Sequence, residues 1–390
     1  MPTAATMNAG GTAQGRGGRA GQSQVLPMVP FVRASAEHRE PTGIDVSRAL
    51  TASDQDLGVF DIPAYGYVRS LLVLVQATGG AGAGVTTAED GPWTALKNIA
   101  LTEPNGAVIA QFNQGFETYL SNKWGGYRDA NGADPKSSPT FSAPNAASGN
   151  FAFFVRIPVE INLRDALGAL PNQNAAATFK LRLTLAKMAD IYGGTVPTTP
   201  PNVRVRVFLE AWDQPEVQSA GQSNQITPPA MNTTQFWSVQ TFNVNAGAQN
   251  IRMTRVGNYL RNLIMVYRTA AGARAAQETQ WPDPATLYLD TRPLDIVDRL
   301  SFKNQMYERT GFGGAVGTTV PANDQPQGIE NGVYVYDFMH EFDGSLGREN
   351  RDLWLPTLGS TRLEWQGSFG QPGTLTILTN DVAIAGSVFL

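Results

Sequence analysis

Few residues in this sequence have the types and spacing that catalysis or metal binding requires. The chain contains two histidines, His38 and His340, in distant parts of the sequence, and it contains no cysteine. A histidine-dependent triad, a poly-histidine zinc site, a thiolate site and a cysteine nucleophile each need more of these residues than the chain supplies. We therefore predict no catalytic residues and no metal ligands.

The acidic residues that follow His340 have a spacing that suits a turn. Glu341 and Asp343 are two positions apart, and Gly344 comes next. A glycosidase instead holds two carboxyl groups at a defined separation across a cleft. A strand that runs into a turn is therefore the favoured interpretation of this segment.

Two further motifs lack the pattern of known ligand sites. Asp283, Asp290, Asp295 and Asp298 do not have the spacing of a calcium-binding loop, so solvated turn carboxylates are the favoured interpretation. The glycines of residues 10–18 follow no strand and precede no helix, as a phosphate-binding loop would require. No cofactor is expected.

Charge and hydropathy limit the partners that the chain can have. Charged residues make up 16% of the sequence and the formal net charge is −4, so no sequence-specific nucleic-acid binding is expected. The longest apolar run, Leu71–Val75, is too short to span a bilayer, and no secretory signal is expected. A chain without cysteine can fold in a reducing cytoplasm.

The first 36 residues are rich in Gly, Ala, Gln and Ser and include Arg16, Arg19 and Arg33 but no acidic residue. Such a segment buries too little apolar surface to offset its ordering entropy, so alone it is expected to be disordered or extended. It is either a loose terminus or an arm that orders on neighbouring subunits or on an inner surface.

The elements that follow are predicted to be short strands. Val203–Val207 alternates apolar and charged residues, which is typical of a strand with one buried face. The first set of predicted strands is Val59–Ile62, Tyr67–Val75, Ala95–Leu101, Ala107–Phe112, Phe151–Ile161, Thr178–Lys187 and Val203–Trp212. A long polar loop is predicted at residues 113–150.

A second set of strands follows a segment rich in Gln, Ser, Pro and Gly. Its members are Phe236–Val244, Tyr259–Thr269, Ala285–Leu289, Arg299–Phe302, Val333–Met339, Thr361–Gly367, Thr374–Leu378 and Val382–Leu390. Short helices or turns are expected at Leu163–Leu170 and Leu346–Leu355. The predicted division is an arm at 1–40, a first domain at 41–215, a linker at 216–234 and a second domain at 235–390.

An internal repeat indicates that the two halves share one fold. The segment that begins Gly66-Tyr-Val-Arg-Ser-Leu aligns with Asn258-Tyr-Leu-Arg-Asn-Leu. A looser match follows in the same order, because Phe154-Val-Arg-Ile and Leu181-Arg-Leu resemble Val335-Tyr-Asp-Phe and Leu363-Glu-Trp. Two all-β halves of this size are predicted to be tandem sandwiches, barrels or jelly rolls.

Several segments, taken in order, resemble tectivirus-type double jelly-roll major capsid proteins of tailless icosahedral viruses. Individually these motifs are weak, and their order along the chain carries the resemblance. The segments are Val59-Phe-Asp-Ile-Pro, Asp90-Gly-Pro-Trp, Thr102-Glu-Pro-Asn-Gly, Leu209-Glu-Ala-Trp-Asp-Gln-Pro, Asn258-Tyr-Leu-Arg-Asn-Leu-Ile and Gly332-Val-Tyr-Val-Tyr.

The resemblance implies an all-β protein of two tandem eight-stranded jelly rolls. It also implies a structural role without catalysis, in which a homotrimer forms a pseudo-hexagonal capsomer of a virion such as that of a bacteriophage. Its partners would be neighbouring capsomers and penton or minor capsid proteins. The arm would face inward, which places Arg16, Arg19 and Arg33 near an internal membrane or neighbouring capsomers.

The alternative function is a virion spike or a carbohydrate-binding β-sandwich module. Trp124 and Tyr127 lie in a Gly-rich part of the predicted loop, so they are the candidate exposed loop contacts for a glycan or receptor. Packing of the loop itself is the competing interpretation for both residues.

Overall fold

The structure is a computed structural model that describes residues 28–127, 144–161, 165–231, 233–310, 330–339 and 349–384. Strands account for 48% of the structure and helices for 10%, which confirms the predicted all-β class. Of the residues singled out in the sequence, Arg16, Arg19, His340 and the predicted turn at residues 341–344 lie outside the described ranges.

The first half of the described chain contributes two four-stranded sheets that pack face to face. One sheet has the order β1–β8–β3–β6 and the other has the order β2–β7–β4–β5. A two-residue strand, Leu170–Pro171, extends the first sheet beside β3. The strands are β1 Glu37–Ala49, β2 Gln55–Asp61, β3 Tyr67–Thr78, β4 Leu96–Thr102, β5 Val108–Gln114, β6 Ala152–Pro158, β7 Lys180–Leu185 and β8 Asn202–Trp212.

The second half repeats this arrangement with strands β9 to β16. Its sheets have the orders β9–β16–β11–β14 and β10–β15–β12–β13, and Leu355–Pro356 extends the first of them beside β11. The strands are β9 Thr234–Val244, β10 Gly247–Met253, β11 Tyr259–Thr269, β12 Ala285–Leu289, β13 Arg292–Val297, β14 Val333–Asp337, β15 Leu363–Phe369 and β16 Gly373–Ala383.

Each half is a jelly roll. In both halves the first, eighth, third and sixth strands form one sheet, while the second, seventh, fourth and fifth form the other. The predicted repeat falls on matching strands, because Tyr67 opens β3 and Tyr259 opens β11. The looser match joins β6 with β14 and β7 with β15. The prediction of two tandem jelly rolls is confirmed.

The two jelly rolls are joined along a strand edge. Strand β5 of the first roll runs parallel to β9 of the second, with Ala110 opposite Trp237. A continuous sheet results, in the order β14–β11–β16–β9–β5–β4–β7–β2. One cluster of buried apolar side chains contains members of both rolls, for example Leu183 and Met265. The two halves therefore share a core.

Helices fill the ends and sides of the rolls. Helix α2 is fully buried and begins with a capping box, in which the Gln114 side chain accepts a hydrogen bond from the Glu117 backbone N–H and the Glu117 carboxylate accepts one from the Gln114 backbone N–H. Among the described residues, no helix has the length and apolar character that crossing a membrane requires. The helices are α1 Phe31–Ala34, α2 Gly115–Trp124, α3 Met188–Ile191 and α4 Phe302–Thr310, and Trp93–Ala95 and Arg351–Leu353 form 3₁₀ turns.

Four local predictions need correction. The predicted strands Thr374–Leu378 and Val382–Leu390 are joined in one strand, β16, which ends at Ala383. The expected end of the arm at residue 40 falls inside β1, a polar strand that antiparallel pairing with β8 holds in place. The predicted loop at 113–150 contains the buried helix α2. The predicted strand Arg299–Phe302 is wrong, because β13 ends at Val297 and α4 begins at Phe302.

We predict that Gly66→Ala destabilises the first roll much more than Gly79→Ala does. Both glycines have positive φ, +45° and +77°, so both substitutions strain the backbone. A Cβ on Gly66 would lie 2.0 Å from the carbonyl oxygen of Trp212, whereas a Cβ on Gly79 has nothing within 4 Å. Chemical unfolding should show an extra loss of about 1–3 kcal/mol for Gly66→Ala. Equal losses would contradict the described contact.

Candidate functional site at the junction of the two jelly rolls

The structure places the aromatic residues proposed as loop contacts in the interior. Trp124 ends helix α2 and is 0% exposed, and Tyr127 is 4% exposed. The Tyr127 hydroxyl donates a hydrogen bond to the carbonyl oxygen of Glu160. The prediction that Trp124 and Tyr127 are exposed loop contacts is therefore wrong, since both side chains pack where the two rolls meet.

The described end of the arm packs against the first roll. Phe31 of α1 is fully buried, and its ring lies edge-on to Tyr67 and Trp212, at 5.3 and 6.1 Å between ring centroids. Val29 exchanges backbone hydrogen bonds with the linker at Ser223 and Gln225. Arg33 is exposed on this short helix. The arm therefore leaves the roll beside the linker.

A buried arginine lies at the centre of the junction. Arg261, on β11, is 1% exposed and lies at a bulge where the register with β16 shifts. Its guanidinium donates to both carboxylate oxygens of Glu349, at 2.6 and 2.5 Å. It also donates to Gln235 at 3.2 Å and to Asn380 at 2.7 Å. These bonds satisfy a charge that burial alone would strongly disfavour.

The first roll contains the same arrangement. Arg69 lies at the matching bulge of β3, between Val68 and Ser70. It donates to Glu160 at 2.7 Å and pairs with Glu37 at 2.8 Å. Its guanidinium also lies 4.5 Å from the ring centroid of Trp212. The repeat that the sequence showed as two matching tyrosine-arginine segments is thus a repeated buried ion pair.

Side chains of one roll satisfy backbone groups of the other at this seam. The Gln235 amide donates to the Tyr127 hydroxyl at 2.5 Å and to the carbonyl oxygens of Val159 and Glu160. Asn262 donates to the carbonyl oxygen of Trp124 at 3.2 Å. A wrong register between the rolls would leave these groups unpaired, which makes the seam specific as well as cohesive.

Ion pairs formed by Lys123 and Asp90 tie the first roll to the second. Lys123 on α2 is 1% exposed and pairs with Glu330, which also accepts a 2.6 Å hydrogen bond from the Tyr119 hydroxyl. At the other end, Asp90 lies between Arg268 and Arg274, with 3.0 Å separating its carboxylate from Arg274 Nε. Helix α2 and the loop before β4 are therefore held by charges of the second roll.

The outer face of the first roll carries its own ionic cluster. Glu210 accepts hydrogen bonds from Arg39, Ser70 and Arg156. Burial alone would raise its pKa, but the charge of Arg156 and the hydrogen bonds from Arg156 and Ser70 lower the pKa of Glu210 to about 2. This carboxylate is therefore ionised at any physiological pH and acts as a fixed counter-charge.

The remaining candidates for chemistry occupy structural positions. Asp290 accepts hydrogen bonds from the backbone N–H groups of Thr361 and Arg362. Asp298 likewise accepts a hydrogen bond from the backbone N–H of Leu300. His38 stacks on Tyr65, with 4.5 Å between ring centroids, and contacts Glu40. In the described ranges no three His, Asp or Glu side chains come together as metal ligands.

The fold is the double jelly roll of viral major capsid proteins. Comparison with known proteins found no matching family model and no curated relative. The similarity lies in the fold, and it extends over almost the whole chain.

Three solved structures illustrate the likeness. The quasi-atomic model of the PBCV-1 virus capsid is 12% identical, covers 90% of this chain and 97% of its own, and gives a TM-score of 0.61. A chain of Sulfolobus Turreted Icosahedral Virus is 12% identical, with coverage of 89% and 91% and a TM-score of 0.59. The major capsid protein P2 from bacteriophage PM2 is 10% identical, with coverage of 91% and 100% and a TM-score of 0.52.

We predict that Arg261→Met greatly destabilises the protein. The substitution leaves Glu349, whose side chain is 7% exposed, without its guanidinium partner, and breaking one side of a buried pair costs about 3–5 kcal/mol. The matched control is Arg182→Met, because Arg182 and Asp56 form an exposed pair whose loss costs about 0–1 kcal/mol. Equal unfolding free energies for the two variants would refute the central role of Arg261.

A second prediction concerns the pH dependence of stability. Burial raises the pKa of the Glu117 carboxyl to about 7, although hydrogen bonds from Asn113 and Gln114 lower it in part. The folded state therefore retains a proton that the unfolded chain releases from about pH 4.5 upward. The contribution of Glu117 to the free energy of unfolding should fall between pH 4.5 and 7, by up to about 3 kcal/mol, and stay constant above pH 7.

The comparison with Glu117→Gln isolates this group. The neutral amide keeps an oxygen that accepts the capping hydrogen bonds but releases no proton. Denaturant unfolding at pH 5 and pH 8 should show a smaller loss of stability for Glu117→Gln than for the unsubstituted protein. The same loss in both proteins would assign the pH dependence to another group.

Proposed function

We propose that the chain is the major capsid protein of an icosahedral virion and acts as a homotrimer. The observation that carries this proposal is the edge-to-edge junction of two jelly rolls within one chain, at β5 and β9. Capsid proteins with TM-scores of 0.52 to 0.61 to this chain share its fold over about nine-tenths of its length. The proposed role is structural, without catalysis, in virions assembled from protein made in the host cytoplasm.

The arrangement of the two rolls suits a subunit of a hexagonal capsomer. Two similar rolls lie side by side and are fixed to each other by buried ion pairs such as Lys123–Glu330 and Asp90–Arg274. Three copies around a threefold axis would present six similar rolls, and cyclic symmetry is a common way to close an oligomer. Such a pseudo-hexagonal capsomer packs against like neighbours with little gap, and minor or penton proteins would fill the vertices.

The exposed residues where the arm meets the linker support an inward role for the arm. Met28 and Val217 are 59% and 69% exposed on the segments where arm and linker meet, and Arg33 is exposed nearby. Apolar side chains beside a cation suit contact with a neighbouring capsomer or with internal membrane lipid. The three arginines Arg16, Arg19 and Arg33 would add about 1 kcal/mol each at an anionic surface.

The alternative function, a virion spike or carbohydrate-binding module, is not supported by the positions of the residues that favoured it. Glycan-binding sites present aromatic rings to solvent, but Trp124 and Tyr127 face the junction of the rolls. Their burial supports a structural part for both residues.

The proposal predicts a native mass near three times 41.9 kDa by light scattering. The trimer should persist on dilution, because a capsomer interface exceeds the area of transient contacts. Electron microscopy of the same sample should show hexagonal particles. A stable monomer, or a particle without threefold symmetry, would contradict the proposed function.

A further inference from the structure

The junction inside the chain uses two different faces. The first roll contributes β5 and helix α2, and the second contributes the outer face of the sheet β9–β16–β11–β14. Phe112 on β5 lies 6.2 Å from Trp237 on β9, measured between ring centroids, and Asn262 on β11 binds the carbonyl oxygen of Trp124 on α2. We call the strand-and-helix side of a roll its outgoing face and the outer sheet surface its incoming face.

Strand pairing gives the matching positions on the two incoming faces. Tyr67 pairs with Trp212, which pairs with Glu37. Tyr259 pairs with Val382, which pairs with Gln235. Since Tyr67 and Tyr259 are equivalent in the repeat, Glu37 corresponds to Gln235.

The correspondence between residues of the two incoming faces continues along the strands. Two residues further along β1 and β9, Arg39 corresponds to Trp237. On β3 and β11, which share the bulge at Arg69 and Arg261, Leu72 corresponds to Ile264.

The two incoming faces differ in how far they are covered. On the second roll, Gln235 and Ile264 are 0% exposed and Trp237 is 1% exposed, because the first roll packs on them. On the first roll, the side chains of Glu37 and Arg39 are 60% and 57% exposed. Within the described part of the chain, this face remains open.

Apolar side chains lie on this open face. Leu72, Leu74 and Phe208 are half-buried and alternate with core residues such as Val73 and Val207. Their alternation directs them away from the core of the first roll. Half-exposed apolar side chains on an outer sheet surface mark a surface that gains from further burial.

The second roll has an outgoing face that is open in the same way. Strand β13 is the edge of its sheet and helix α4 follows it, as α2 follows β5. Gln305 on α4 donates a 3.0 Å hydrogen bond to the carbonyl oxygen of Ile296, which places the helix beside the strand. Ile296 is 58% exposed and Leu300 is 95% exposed.

We propose that the outgoing face of the second roll, β13 and α4 with Ile296 and Leu300, packs on the incoming face of the first roll of another copy. The contact would repeat the internal junction between β5–α2 and the second roll. Because the two faces differ, the contact is heterologous, and it closes when three copies supply six similar junctions. This inference rests on the proposed trimer and names the surfaces that form it.

The test uses a variant of each face. Ile296→Asp together with Leu300→Asp places charges on the outgoing face at exposed positions. Leu72→Asp places a charge on the incoming face, and Arg39→Glu is a second incoming variant at a more exposed position, used if Leu72→Asp lowers the unfolding temperature or alters the circular dichroism. Val59→Asp is the matched control, because Val59 on β2 is 60% exposed and lies on neither face.

Each face variant alone should have the mass of one copy, 41.9 kDa, while Val59→Asp keeps the mass of three. An equimolar mixture of the outgoing and incoming variants should instead form a heterodimer of two copies. One intact face remains on each partner, so a single contact forms and the ring cannot close.

The outcomes separate this inference from the proposed function. If the unsubstituted protein is a trimer but the outgoing variant also remains a trimer, the trimer stands and the assigned faces are wrong. If both variants are monomers and their mixture stays monomeric, the two faces do not bind each other and the inference is overturned. A monomeric unsubstituted protein contradicts the proposed function and this inference together.

Discussion

A sheet edge that must be covered determines how this molecule is built. Strand β9 begins the second jelly roll, and its free edge would expose unpaired backbone groups if nothing lay beside it. Strand β5 of the first roll takes that place, with Ala110 opposite Trp237. Helix α2 then lies between the two rolls, and for this reason it is buried along its whole length. The shared core and the polar seam both follow from this one pairing.

Charged groups at the seam fix the relative position of the rolls. Apolar packing alone tolerates small shifts, whereas the buried Lys123 of the first roll needs Glu330 of the second roll at a fixed place. Within the second roll, Arg261 and Glu349 form a buried pair beside this seam. The first roll keeps the equivalent Arg69 with Glu160 and Glu37, although no second roll of the same chain covers that side. The repeat has thus preserved an ionic arrangement along with the strand order.

The sequence was sufficient for the strands that have strong patterns. Val203–Trp212 and Tyr259–Thr269 were predicted almost to the residue, because each has an apolar face and turn residues at its ends. Strand β1 was missed because Glu37–Ala49 contains three charged residues near its start, a proline and a glycine, and only its pairing with β8 makes it a strand. Helix α2 was missed because its Glu117 and Lys123 are polar but buried, so no amphipathic pattern remains. The hydrogen-bond partners of Arg261 lie from 26 to 136 positions away, and nothing local reveals them.

The burial of α2 has a consequence for how the chain is made. The ribosome completes the first roll at Trp212 before it synthesises β9 and β11, which cover the outer side of α2. A nascent chain of that length can pair all eight of its own strands, yet Trp124 and Phe112 still lack their partners from the second roll. Exposed aromatic side chains on a half-made protein favour aggregation. Synthesis of this chain therefore passes through an interval in which the first roll is complete but its aromatic side chains at the junction are still exposed.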